Sequence, residues 1–204
     1  MSVKVDFIFD IASPNVYLAH KLIPDIEART GVKFNYIPTL LGGIFKATGN
    51  QPPFITFANV KGRFAYEQLE FQRFLKRHKL SKFKMNSNFP VHTVLLQRGA
   101  IVAHELGVFP AYFEAGLKAV WEDNLNPKEP DVLAEILNKA GLDAAIIIER
   151  AQSPEIKAKL IQNTDEAANR GTFGAPTFFV GEEMFFGKDR LDQVEEEIKA
   201  QQTA

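Results

Sequence analysis

The chain of 204 residues contains no cysteine, a single tryptophan and three methionines. Without a thiol it holds no disulfide, no thiolate metal site, no iron–sulfur cluster and no cysteine nucleophile of its own. An excess of either charge is also missing, with 24 Lys plus Arg against 25 Asp plus Glu and a formal net of −1. A nucleic-acid surface calls for clustered cations. The one dense basic stretch, Lys76 to Lys84, is short and set among helix formers. The longest uninterrupted apolar run, Ala144 to Ile148, falls far below the roughly 20 residues a membrane span needs. Met1-Ser2-Val3-Lys4 shows no charged stretch leading into an apolar run and a cleavage site, so a cytoplasmic location is expected.

What is present is enough apolar material, 46% of the residues, to bury a core without staples at this length. Val3, Val5, Phe7 and Phe9 alternate with Lys4, Asp6 and Ile8, which predicts a strand with one more apolar face. The period then changes. Val16, Ala19, Leu22, Ile23 and Ile26 recur at three and four residues behind Ser13-Pro14, predicting one helix of about 16 residues that ends near Gly31. Val32 to Leu40 reads as a second strand, completing a right-handed βαβ unit.

Residues 42–60 read as loop, given Gly42-Gly43, Gly49-Asn50 and Pro52-Pro53. Helical spacing then dominates, with segments near 63–78, 91–106, 110–123, 130–140, 142–151 and 154–170, the last opened by Ser153-Pro154. Thr177 to Val180, a Gly181-Glu182 turn and Glu183 to Phe186 form a hairpin, and Asp192 to Lys199 a closing helix. The fold class is therefore α/β: a thioredoxin-like βαβ…ββα sheet with an all-helical subdomain inserted between its halves. Residues 1–60 and 171–204 make the thioredoxin-like part and 61–170 the insertion, whose last helix, about 154–170, leads back into it.

Chemistry can sit at Ser13, on the strand-to-helix turn. There the hydroxyl is either a plain helix cap or a donor to an anion attracted by the helix N-terminus. Proline before a strand, as at Ala175-Pro176, is the ordinary place for a residue that cannot donate to a ladder. Asp189 either caps the last helix or offsets Arg190. The four histidines, His20, His78, His92 and His104, show no metal-ligand spacing and no nucleophile elbow accompanies them, so no metal is expected. The 18 phenylalanines are mainly core, with Tyr17 and Trp121 as candidates for an aromatic substrate pocket.

Four segments carry a resemblance to one family. Phe9-Asp10-Ile11-Ala12-Ser13-Pro14-Asn15-Val16-Tyr17-Leu18-Ala19 resembles the N-terminal signature of 2-hydroxychromene-2-carboxylate isomerases and kappa-class glutathione transferases, with Ser13 where thioredoxin-like proteins carry the first cysteine of C-x-x-C. Leu41 to Pro53 resembles the kappa-class loop, Phe173-Gly174-Ala175-Pro176-Thr177 the cis-proline segment, and Phe186-Gly187-Lys188-Asp189-Arg190-Leu191 the turn before the last helix. The similarity spans nearly the whole chain in order. It implies glutathione as cofactor, with Ser13 holding the thiolate and acting as the catalytic residue. It further implies a cis Ala175-Pro176 bond, with Ala175 pairing to the cysteinyl backbone. Lys188 and Asp189 would hold the γ-glutamyl end, Asn50 and Lys61 the glycyl end. The stretch Phe54 to Val60 departs from the kappa pattern by about two extra residues. The activity implied is glutathione-dependent isomerisation of a chromene-carboxylate-like aromatic catabolite, with conjugation by a transferase and a non-catalytic peptide-binding module as alternatives. A homodimer is implied as well.

Overall fold

Strand β1 (Val5–Phe9) is buried along its whole length, Asp6 included, although its sequence suggested one wetter face. The reason is its place in the sheet. In the computed structural model, which describes residues 3–203, the strand order is β2-β1-β3-β4, so β1 is flanked on both sides and covered on both faces. β2 (Phe34–Pro38) runs parallel to it, with Val5 opposite Phe34 and Phe9 opposite Pro38. β3 (Thr177–Val180) runs antiparallel, with Val5 opposite Val180. β4 (Glu183–Phe186) completes the hairpin at an exposed edge.

Alternation along β1 sends its side chains into two different interiors. Val5, Phe7 and Phe9 enter the main core, where Phe7 stacks on Phe178 at 5.0 Å and Phe9 meets Phe113 edge-on at 4.6 Å. Ile8 enters a smaller cluster with Ile37, Ile44, Ala167 and Phe179 on the opposite face. Asp6 shares that opposite face. Asn35 and Arg170 donate to it at 2.8 Å each, and the Arg170 guanidinium also lies 3.8 Å over the Phe179 ring. Burial alone would raise the Asp6 carboxyl, but these partners and Lys4 hold it below its ordinary range.

The predicted first helix is in fact two, α1 (Pro14–His20) and α2 (Ile23–Thr30). Pro24 decides this. It has no N–H to give and its ring crowds the carbonyl one turn earlier, so the chain turns at Lys21-Leu22 and restarts. The stretch read as loop is also partly helical, with α3 (Leu41–Thr48) and the short α4 (Pro53–Thr56). Gly43 serves packing rather than a turn. A Cβ there would lie 2.8 Å from the Thr164 methyl, so glycine lets α3 close on the helix that bears Thr164.

The remaining helices fall where the spacing put them: α5 (Arg63–Arg77), α6 (Val94–Glu105), α7 (Phe109–Trp121), α8 (Pro130–Lys139), α9 (Ala144–Ala151) and α10 (Pro154–Asn169). Ser153 caps α10 by accepting from Ile156 N–H. The main core runs unbroken from the sheet into α6, α7, α8 and α9 and takes in Ile156 and Leu160 of α10, which continues along the far face beside α3 and β2, where Ala167 is buried. A 3₁₀ turn (Lys188–Arg190) leads into α11 (Leu191–Thr203), which packs on α2. Among the described residues no helix is long and apolar enough to cross a membrane.

Glu195 of α11 accepts from both Nε and Nη2 of Arg29, at 2.9 and 2.6 Å, and from Lys199 at 2.7 Å. Arg29 above all, then Lys199, holds its carboxyl at about 2. A carboxyl depressed in the folded state contributes stability above its unfolded value, here 4.5, and loses it as pH falls towards 2. Glu195→Gln should therefore lower stability at pH 7 and flatten its fall between pH 4.5 and 2, as read from urea midpoints across that range.

Candidate active site

Ser13 stands at the N-cap of α1 with extended backbone, φ −89° and ψ 120°, and Pro14 follows at the first helical position. That is the backbone of a cap without the bond of one: the hydroxyl accepts from no N–H of α1. Instead, Ser13 Oγ donates to the carbonyl oxygen of Ala175 at 2.9 Å, across the sheet. The Ala175-Pro176 bond is cis. The two sides of the site are thus joined by the hydroxyl itself, with Ser13 and Ala175 both buried.

Beneath the turn lies a set of buried polar bonds that sequence reading missed. Gln97, fully buried on α6, donates to the carbonyls of Phe9 and Thr39 at 3.0 and 2.9 Å and accepts from Ile11 N–H at 3.3 Å. Trp121 Nε1 donates to the Ile11 carbonyl at 2.9 Å. Asp10 accepts from Ala12 N–H, Leu41 N–H and the Thr93 hydroxyl. Asp10 had a signal, as the one acid closing a strand of apolar residues. Gln97 had none, because a lone amide in a helical run looks like any surface residue.

Asn50 follows the left-handed cap of α3 at Gly49, φ 66°, and its side-chain amide donates to the Phe173 carbonyl at 2.8 Å. It is therefore tied to the segment that carries Ala175 and Pro176. Lys188 and Asp189 lie in the 3₁₀ turn that packs against α1. Lys188 Nζ donates to the exposed Asp189 carboxylate at 2.7 Å and sits 4.8 Å over the Phe74 ring. Asp189 thus pairs with Lys188 rather than offsetting Arg190, whose guanidinium reaches only its backbone carbonyl at 3.4 Å. Lys61 is exposed, and among the described residues no hydrogen bond or ion pair links it to this group.

Tyr17 and Trp121 are fully buried, so neither faces a substrate in this structure. Their polar tips explain it. The Tyr17 hydroxyl donates to Glu122 at 2.9 Å, and the Trp121 ring stacks on Phe83 at 5.8 Å while its N–H supports the Ser13 turn. Burial, then Glu122, pushes the Tyr17 hydroxyl well above its ordinary range. The exposed aromatics lie further out. Phe89 is 6.3 Å from Trp121 and 5.6 Å from Phe54 across α4, and Phe173 lies 4.5 Å from Phe186. Ile11, Trp121, Phe89 and Phe54 form one chain of contacts leading away from the Ser13 turn, Asn50 and Phe173 another pair beside Ala175, and Phe54, Phe89 and Phe173 present ring surface to solvent.

His20 and His104 find their partners away from Ser13. His20 bonds the Tyr36 hydroxyl at 2.9 Å and Glu114 at 3.3 Å, and His104 stacks on Phe109 at 3.7 Å. His20, then Lys21, holds the Glu114 carboxyl at about 2 against burial. Burial lowers His104 below the usual imidazole range.

A helix-opening residue facing a cis proline across a βαβ…ββα sheet defines a thioredoxin-class site, here with a hydroxyl in place of the redox sulfur. The chain belongs to the DSBA-like thioredoxin domain family, whose model matches residues 4–199, within the group of 2-hydroxychromene-2-carboxylate isomerases and kappa-class glutathione transferases. It is 30% identical to a 2-hydroxychromene-2-carboxylate isomerase of Pseudomonas sp. (strain C18), over 96% of this chain and 90% of that protein. It is 26% identical to human glutathione S-transferase kappa 1, over 92% and 87% of the two chains. The solved structure of a 2-hydroxychromene-2-carboxylate isomerase superposes with a TM-score of 0.83 at 26% identity, covering 96% of this chain and 94% of that one.

Gln97→Leu keeps the volume but orphans the carbonyls of Phe9 and Thr39 and the Ile11 N–H. It should cost about 2–4 kcal/mol of stability, read as a lowered urea midpoint with an unchanged slope.

Proposed function

We propose that this protein is a glutathione-dependent isomerase of 2-hydroxychromene-2-carboxylate-like aromatic catabolites, acting in the cytoplasm. The reading is carried by Ser13: a buried hydroxyl at a helix start, spared from capping and aimed at the residue before a cis proline, in a chain with no thiol. The surroundings fit a thiol peptide. When bound, glutathione would supply a thiolate able to add reversibly to an electrophilic ring carbon of the substrate and to leave it unchanged.

The Ser13 hydroxyl turns from the Ala175 carbonyl to donate to that sulfur, with the N-terminal end of α1 behind it. Ala175 holds the cysteinyl backbone in the manner of strand addition, presented by Pro176. Asn50 and Lys61 address the glycyl carboxylate, while Lys188 and Asp189 address the γ-glutamyl end. The exposed Asp189 then exchanges its Lys188 partner for the ligand's ammonium.

Magnitudes show what Ser13 is asked to do. A free thiol of pKa about 8.5 is only about 3% ionised at pH 7. One charge-assisted hydrogen bond of about 1.5–3 kcal/mol lowers that pKa by about one to two units and raises the thiolate about 8- to 25-fold. Lost nucleophilicity takes back about 3- to 10-fold. The residues around the thiol must therefore contribute chiefly by holding it against its acceptor. The exposed rings of Phe54, Phe89 and Phe173 support an aromatic acceptor over an aliphatic one.

A transferase that leaves glutathione on its product is the second reading, favoured by the kappa-like segment Leu41 to Pro53. A peptide-binding module without chemistry is the third. Phe64, Tyr66 and Leu69 of α5 are exposed apolar surface of the kind a second copy would cover in a homodimer.

Ser13→Ala should lower the ultraviolet thiolate absorbance of bound glutathione about 8- to 25-fold and slow isomerisation about 2- to 3-fold at pH 7. Unchanged absorbance and rate would reduce Ser13 to a structural residue. Chromene-carboxylate interconversion, followed against conjugation of a chlorinated nitroaromatic, separates the first two readings. Calorimetry with no glutathione binding at millimolar concentration rejects both.

A further inference from the structure

The turn that carries Ser13 hangs on one carboxylate. Asp10 is 3% exposed and both its oxygens are engaged. Oδ1 accepts from Ala12 N–H at 2.9 Å and from the Thr93 hydroxyl at 2.6 Å, and Oδ2 accepts from Leu41 N–H at 2.8 Å. Its own backbone carbonyl accepts Ser13 N–H at 3.0 Å. These donors come from three elements. Ala12 belongs to the turn that opens α1, Leu41 is the first residue of α3, and Thr93 is the N-cap of α6.

Helix starts leave N–H groups unpaired and favour an anion. Three such starts converge here on a carboxylate that belongs to the protein. Thr93 spends its hydroxyl on Asp10 and makes no side-chain cap of its own helix. Among the described residues no cation pairs with Asp10. What faces it from α1, α3 and α6 is two backbone N–H groups and one hydroxyl, with the neutral Gln97 amide bonded to the neighbouring backbone of Phe9 and Ile11.

The path from this carboxylate to the ligand has two arms. One runs from Asp10 through Ala12 to Ser13. The other runs from Leu41 along α3 to Gly49 and Asn50. Their far ends meet again on one short segment, where Asn50 holds the Phe173 carbonyl and Ser13 the Ala175 carbonyl. We propose that Asp10 is a positioning residue, fixing the Ser13 arm and the Asn50 arm relative to each other so that both address the same bound thiol peptide. This rests on the glutathione reading above. The ionised carboxylate accepts all three donors in charge-assisted bonds, whereas the neutral acid accepts them only weakly. Burial pushes the Asp10 carboxyl above its ordinary range, and the Leu41, Thr93 and Ala12 donors pull it back. Removing a donor therefore shifts Asp10 towards its neutral form at a higher pH, and the clamp opens sooner as pH falls.

The test uses calorimetric titration of the full-length protein with glutathione from pH 4 to 8, for the parent, Asp10→Asn, Thr93→Val and Thr93→Ser. Amide hydrogen exchange at Ala12 and Leu41 is followed in parallel. Asp10→Asn should weaken glutathione binding at pH 7 about tenfold. Thr93→Val, isosteric but without the donor, should move the acid limb of binding upward by about one pH unit, in step with faster exchange at Ala12 and Leu41. Thr93→Ser, which restores the donor, should return the limb towards the parent's. An affinity in Asp10→Asn equal to the parent's, or a Thr93→Val limb that coincides with the parent's, overturns the positioning role while leaving the glutathione reading intact. A parent that binds no glutathione overturns both. Should Asp10→Asn fail to fold, the two Thr93 variants decide alone.

Discussion

Strand β1 has no free face, and the layout of the molecule follows from that constraint. Its odd residues need one interior and its even residues another, so helices must cover the sheet on both sides. The main core is large enough to absorb α6 to α9 as an extension of the same apolar body. The second face is thin and depends on two close approaches. Gly43 lets α3 touch Thr164, and Arg170 closes over Asp6 and Phe179. The site inherits its rigidity from this arrangement, because the turn bearing Ser13 leaves directly from the end of β1.

Polar groups at the end of β1 solve a separate problem. A strand that stops inside a core exposes backbone donors and acceptors that water cannot reach. Gln97 of α6, Trp121 of α7 and Asp10 in the turn itself meet that need. Their bonds do two things together, satisfying buried backbone and fixing the turn at which the proposed chemistry occurs. A Ser13 hydroxyl freed from capping is a consequence, since the turn is already held from below.

The strands and most helices were legible because period and punctuation agree there. Thr177 to Val180 followed by Gly181-Glu182 reads as a hairpin on sight, and Ser153-Pro154 marks a helix start that the structure fills as expected. The misreadings share one cause, a local signal overruled by its surroundings. Gly42-Gly43 suggested a loop, yet the glycines sit inside α3, and Gly43 gives α10 room. A helical spacing continuous through Leu22 and Ile23 hid the break imposed by Pro24. At the site, Ser13 and the Ala175-Pro176 segment could be named because motif and topology coincide. Tyr17 and Trp121 were misjudged as pocket-lining, since aromatic identity says nothing about whether a polar tip is already bonded inward.

The pairing of β1 with β3 also governs how the chain acquires its shape. Val5 is made before Val180, its partner, and nearly all the helices come between the two. During synthesis the future centre of the sheet has β2 on one side and an open edge on the other. Nascent α3 and the helices after it can cover its faces but cannot satisfy that edge. Closure of so long a loop is slow, so the interval in which an apolar, unpaired strand is presented to other chains lasts until the C-terminal hairpin emerges. The site is completed by the same late event, because Ala175 and Pro176 arrive with β3.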